Sequence, residues 1–300
     1  MTSASLVRLL ILSAIWGASF LFMRISAPVL EPVVLVFFRV GLAALFLQAA
    51  VLYNKKSLQI AIHWKHYLII GFFNSALPFF LFAYAAKTAP ASLLSILNAT
   101  APIWAALIGT LALRSRPSGK ALFGMLLGVS GVSVLTGIET LALPENGVLA
   151  VAAGLGASCF YGIAALYAKT AKSVEPLANA CGSMWAATLI LAPLTLGFGL
   201  GSTWTLPSAR VILSVIALGV LCSGIAYMLY FRLIADIGAA SALTVTFLIP
   251  VFGIFWGKIF LGEQVGWHTL LGCLAVLTGA ALVTGFSVST LLSGGKPHAN

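Results

Sequence analysis

The chain has 300 residues, of which 61% are hydrophobic and 7% charged, and its mean hydropathy is +1.10. A soluble domain carries about a quarter charged residues, so this composition excludes a water-facing surface and indicates a polytopic membrane protein. The formal net charge of +10 would suggest nucleic acid in a soluble protein; here the Lys and Arg other than Arg39 fall in or beside loops, where they set topology, and no nucleic-acid partner is expected.

A helix crosses the bilayer with about 20 apolar residues. Ten runs qualify. In the first half they are Leu6–Met23, Val33–Tyr53, Tyr67–Ala86, Ala91–Leu113 and Gly119–Gly137. In the second half they are Gly147–Ala168, Leu177–Phe198, Ala209–Phe231, Ala239–Phe260 and Gly266–Phe286. Proline, glycine or charge marks most connections, among them Pro32, Lys55-Lys56, Pro90, Pro144, Pro176 and Pro207. The connections leave no room for a soluble domain. The first run lacks a charged leader and a small-residue cleavage site, so it reads as a retained helix. Cys159, Cys181, Cys222 and Cys273 are scattered through apolar runs and support neither a disulfide framework nor a metal site.

The two halves repeat one another. Pro102 matches Pro250 at the same offset as Gly109 and Gly257, Gly124 and Gly272, Gly131 and Gly279, and Gly137 and Gly285. Trp16-Gly17 echoes Tyr161-Gly162, and Gly71 and Ser75 echo Gly219 and Ser223. This is an internal duplication, with residues 1–140 as one repeat, 147–290 as the second and 291–300 as a short tail. Placing the N-terminus inside puts most basic residues in cytoplasmic loops, Lys55, Lys56, Arg114 and Arg116 among them, and leaves Arg24, Lys87, Arg210 and Lys258 outside. Both termini are therefore expected in the cytoplasm. Five helices per repeat is an odd number, so the second copy enters the membrane upside down. The expected fold is an all-α membrane protein, ten transmembrane helices as two inverted five-helix repeats. Such repeats characterise secondary transporters that hold substrate near the midplane.

Ile15-Trp16-Gly17-Ala18-Ser19-Phe20, followed by Pro32 and Phe38-Arg39, resembles the opening of the drug/metabolite transporter superfamily, EamA type. Pro250, Gly257, Leu261-Gly262-Glu263, Leu271-Gly272 and Gly279 resemble its closing signature. One departure stands after helix 4, where the family's usual Leu-Gly-Glu is replaced by Leu113-Arg114-Ser115-Arg116. The resemblance implies an inner-membrane exporter of amino acids or related metabolites, and the aromatic amino acid exporters are its first branch to test.

The candidate site residues each have a second reading. Arg39 lies within a span, where a charge marks function by default, or it snorkels outward or pairs with Glu31. Pro102 and Pro250 each free a carbonyl one turn back, at Asn98 and Thr246, and so mark broken helices and hinges, or simple packing kinks. Trp16 and Tyr161 lie mid-span, and Phe79, Tyr84 and Tyr227 lie on helices 3 and 8. These line an aromatic cavity or pack between helices and against lipid. Gly124-xxx-Gly128 and Gly253-xxx-Gly257 allow close helix approach, or form a dimer face, so the chain is a monomer or homodimer. His63 and His66 read as a solvated helix start.

Every acidic residue (Glu31, Glu139, Glu145, Glu175, Asp236, Glu263) falls in or beside a loop. A proton-coupled exporter of cations would carry a carboxylate in the membrane, and no phosphate loop, metal set or catalytic grouping is present. The expected function is a non-enzymatic transporter of small molecules in the lipid bilayer, without cofactors. It works by alternating access, and facilitated diffusion, exchange and another coupling stay open. A carrier for a drug, nucleotide sugar or phosphorylated metabolite, and a non-transporting scaffold, are the alternatives. Phosphates would call for several buried Lys or Arg, and a scaffold gains nothing from matched prolines.

Overall fold

The computed structural model describes residues 2–112, 114, 116–139, 147–199 and 206–285. The expected tail at 291–300, with Lys296, lies outside them, as do Leu113, Ser115, Pro144, Glu145 and residues 200–202. The described chain is helical from end to end. The helices are α1 (Ser3–Ser26), α2 (Pro32–Tyr53), α3 (Ile60–Ala85), α4 (Ala91–Ala112) and α5 (Gly119–Glu139). They continue as α6 (Gly147–Thr170), α7 (Pro176–Gly199), α8 (Ala209–Ile237), α9 (Val245–Leu261) and α10 (Trp267–Thr284). Eight are long and apolar enough to cross a membrane, and two, Gly119–Leu135 and Val245–Leu261, are shorter apolar helices.

Apolar side chains are no better buried against protein than against lipid tails, so small residues that let backbones approach hold such helices together. The repeated glycines do this in matched pairs. A Cβ on Gly17 of α1 would lie 3.0 Å from the Gly253 backbone nitrogen of α9. A Cβ on its counterpart Gly162 of α6 would lie 2.8 Å from the Ala105 nitrogen of α4, and Ala105 is the counterpart of Gly253. Likewise Gly71 of α3 backs onto the Ser183 carbonyl of α7, 2.7 Å from the virtual Cβ, while Gly219 of α8 backs onto the Arg39 carbonyl of α2 at 2.9 Å. The α1–α9 contact is thus mirrored by α6–α4, and the α3–α7 contact by α8–α2. The α5–α10 pair closes on itself: Gly124 faces Gly279 and Gly131 faces Gly272.

The GxxxG pairs are spent on these internal contacts. Gly124 and Gly128 meet α10 and Ile103, Gly253 meets Ser95, and Gly257 meets Glu263.

Both the fourth and the ninth spans are interrupted, but at offset places. In α4 the helix stops at Asn98, turns through Ala99 and Thr100, and resumes at Ala101. Pro102 is then the second residue of the new helix, where the missing N–H belongs to a group without a helical partner anyway. In the ninth span the break, at Leu243 and Thr244, follows a four-residue helix at Ala239–Ala242 and precedes α9, and Pro250 lies inside the continuous α9. The sequence expectation of breaks at both prolines is thus corrected at Pro250. Two hydroxyls serve the α4 break: Thr100 Oγ1 donates to the Leu97 carbonyl at 2.6 Å and Ser158 Oγ of α6 donates to it at 2.8 Å. Thr246 Oγ1 does the same for Leu243 at 2.7 Å.

Candidate functional site

Two stretches of π-helix, Phe72–Ala76 in α3 and Ala217–Ile225 in α8, occupy repeat-equivalent places. A π turn widens the helix and often sits at a functional site. Here the widening carries Asn74 and Cys222, themselves repeat counterparts, to the wall of one central cavity of about 810 Å³. The cavity lies between the repeats, with contributions from α1, α2, α3, α4, α6, α8, α9 and α10.

Seven of the sequence-derived candidates line it together with Pro102: Trp16, Arg39, Phe79, Asn98, Tyr161, Tyr227 and Thr246. Tyr84 and Pro250 are not among the lining residues. Tyr84 is 37% exposed. Phe82 lines the cavity, and a residue two positions on is turned about 200° around the helix, which carries Tyr84 to the outer face.

The walls are aromatic. The Trp16 ring lies 5.3 Å from Tyr230 and 6.5 Å from Tyr227, edge to face with the latter. Phe82 meets Phe20 at 5.4 Å and Tyr161 at 6.2 Å. Trp16 Nε1 donates to the Cys222 carbonyl in the π segment at 3.2 Å, which fixes the indole. Asn74 Nδ2 reaches the Tyr227 hydroxyl at 3.5 Å. The Asn98 side-chain amide, beside the α4 break, has no hydrogen-bond partner among the described residues and borders the cavity.

Arg39 is 5% exposed and neither snorkels nor pairs with Glu31. Its Nε donates to Ser223 Oγ at 3.2 Å, its Nη1 lies 3.6 Å from Met23 Sδ, and its guanidinium carbon lies 3.6 Å from the centre of the Phe79 ring. Glu31 lies 3.8 Å from Lys87 instead. No Asp or Glu lines the cavity among the described residues.

The two ends differ. Lys169, Ser241, Thr284 and Gly285 border the cavity where α6 and α10 finish. At the opposite end, past Met23, the helices are tied together. Glu263 accepts from the backbone nitrogens of Ala91 at 2.6 Å and Ser92 at 3.0 Å, and from Ser92 Oγ at 2.6 Å. Arg24 Nη1 donates to the carbonyls of Ala86 at 3.0 Å and Lys87 at 2.8 Å.

Sequence reasoning missed Asn74, Ser223, Met23 and Lys169. The matched Gly71/Gly219 and Ser75/Ser223 were a usable signal, because they bracket the π segments. His66 accepts or donates across to Asn179 at 3.0 Å, between α3 and α7, and among the described residues no cluster could hold a metal ion.

Residues 4–137 and 148–285 each match the EamA-like transporter family. The chain is 24% identical over 275 residues to the uncharacterized transporter YoaV of Bacillus subtilis, covering 90% of this chain and 93% of that protein. It is 28% identical over 197 residues to a probable terminal-alkyne amino-acid exporter of Streptantibioticus cattleyicolor, covering 65% of this chain and 64% of the relative. A solved protein crystal structure superposes with a TM-score of 0.64 at 19% identity, covering 97% of this chain and 98% of the other, a likeness of fold alone.

Proposed function

The chain belongs to the EamA-like transporter family, a family of membrane transporters, and from that premise we propose that it exports amino acids, aromatic and neutral ones first, by alternating access. The observation that carries the reading is the cavity between inverted repeats, walled by Trp16, Tyr161 and Tyr227 and bordered by the unpartnered Asn98 amide. A flat apolar side chain is accommodated by stacking and edge contacts with these rings. The polar end of the solute meets Asn98 and the backbone near the α4 and α9 breaks. The Streptantibioticus relative is named for the export of amino acids with a terminal alkyne, which supports the same class here. Lys169 and Gly285 lie on the cytoplasmic side in this reading, so the cavity opens to the cytoplasm and is tied shut by Glu263 on the other side. No Asp or Glu lines the cavity among the described residues, which favours facilitated diffusion or exchange over coupling through a buried acid.

Uptake of radiolabelled amino acids into proteoliposomes, with and without a pH gradient, tests this. Saturable uptake of aromatic or neutral amino acids that ignores the gradient is the expected result. Trp16→Ala removes a stacking partner valued at about 1 kcal/mol, and the KM for phenylalanine is expected to rise about fivefold. Asn98→Ala is expected to raise it by a similar factor, from the loss of about 1 kcal/mol of hydrogen bonding. Both variants transporting as the parent does while folded would sink the assignment of these residues.

A further inference from the structure

We infer that Arg39 is a carboxylate anchor, so that the solutes of this cavity carry a carboxylate and a solute offering only a positive charge is rejected. The inference rests on the proposed transport reading for its physiological meaning, but not for its geometry.

A guanidinium inside a membrane protein is costly unless it is paired. Arg39 is given only neutral neighbours: one hydroxyl, one thioether and one aromatic face. The described acids whose contacts are resolved are committed elsewhere. Glu31 faces Lys87, Glu175 faces Lys56, Asp236 is held by Arg8 and Arg232, and Glu263 caps α4. The Phe79 ring covers one face of the guanidinium and leaves its edge, which carries the N–H groups. Along that edge Nε is used by Ser223, Nη1 meets only a weak thioether acceptor, and Nη2 has no acceptor among the described residues. An arginine edge with two adjacent nitrogens so poorly matched is the geometry that takes a carboxylate through two parallel bonds.

The duplication provides an internal control. Arg39 and Ser183 are repeat counterparts, as are Ser223 and Ser75. Ser183 itself carries no charge. Ser183 Oγ turns back to its own helix at Ala180, and the buried Ser75 Oγ is left without a partner. The packing therefore does not require an arginine at this register, and the charge is an addition to one side of a symmetric scaffold. It sits on the wall of the cavity, not in a closed packing layer.

The test uses the purified full chain in detergent and in proteoliposomes. The probes are phenylalanine and 3-phenylpropionate, which carry the carboxylate, against phenylalaninamide and phenethylamine, which do not. Leucine against leucinamide repeats the comparison without the ring. The carboxylates are expected to raise the melting temperature and to compete for uptake at concentrations roughly ten- to a hundredfold below those of the amides, the range of a charge-assisted bond. Arg39→Gln is expected to abolish that preference and Arg39→Lys to keep part of it, while Ser183→Ala leaves it unchanged. Should Arg39→Gln not fold, the acid-to-amide comparison on the parent chain decides alone. Equal competition by acid and amide overturns the anchor, as does an Arg39→Gln variant that retains the preference. A melting shift that requires the carboxylate without any uptake sinks the transport reading and leaves the anchor. Uptake that ignores the carboxylate does the reverse.

Discussion

Gly279→Ala is expected to lower the melting temperature sharply or to abolish recovery of folded protein. A Cβ at position 279 would stand 2.5 Å from the Gly124 carbonyl oxygen, 2.8 Å from the Gly128 nitrogen and 3.1 Å from the Gly128 Cα. Those are backbone atoms, so no side-chain rotation relieves the overlap and α5 and α10 must separate. Overpacking of this kind costs about 1–3 kcal/mol, and the backbone contact puts it at the upper end. The separation is propagated because α5 and α10 meet along their length: Gly131 faces Gly272 one interface layer away. Gly109→Ala is the matched control. Nothing lies within 4 Å of a Cβ there, so the folded yield is expected to hold or improve. Thermal unfolding by intrinsic fluorescence, with both variants beside the parent, checks the pair. A Gly279→Ala protein as stable as Gly109→Ala would refute the glycine-seam account.

Glu263→Ala is expected to open the end of the molecule past Met23 and to shift the population away from the state seen here. The α4 helix begins at Ala91 after Pro90 and has no side-chain cap of its own. The Glu263 carboxylate supplies one from the α9–α10 connection, through three bonds to Ala91 and Ser92. A helix N-terminus attracts a carboxylate both by its free N–H groups and by its dipole. Charge-assisted hydrogen bonds contribute about 1.5–3 kcal/mol each, but closure competes with water for the same groups, so a net loss of about 3 kcal/mol is expected, or roughly a hundredfold in the equilibrium. Gly257 belongs to the same device: a Cβ there would meet Glu263 Oε2, so the glycine leaves room for the carboxylate. Spin labels at Val29→Cys and Gln264→Cys, on a background without the native cysteines, measure the gap. A longer and broader distance distribution in Glu263→Ala is expected. An unchanged distribution with unchanged transport would remove Glu263 from any role in closure.

The duplicated scaffold is asymmetric at this point. Leu261-Gly262-Glu263 carries the carboxylate, whereas its counterpart reads Leu113-Arg114-Ser115. Gly257 is crowded by Glu263, while its counterpart Gly109 faces open space. One end of the molecule is therefore equipped with a tie that the sequence of the other end does not repeat. In the proposed cycle this favours closure on the Glu263 side at rest.

The sequence alone determined the ten apolar runs, the inverted duplication and the transporter class, because these are linear properties. Hydropathy over about 20 residues reports a span, and matched residues at a constant offset report a repeat. It also singled out Arg39, Asn98 and the Trp16/Tyr161 pair, since an intramembrane charge and twinned mid-span residues stand out in a uniform apolar background. Only the tertiary structure decided which faces turn inward. Lipid tails are as apolar as Leu or Phe, so no hydropathy contrast separates a cavity wall from a lipid-facing ring; Tyr84 and Phe82, two residues apart, end on opposite sides. Proline marked weakened helices but not where they part, because an interruption falls where neighbouring hydroxyls can serve the freed carbonyls, at Leu97 and Leu243. The neutral shell around Arg39 and the reach of Glu263 to Ala91 both join residues far apart in the chain. They exist only because paired glycines bring the two repeats within backbone contact.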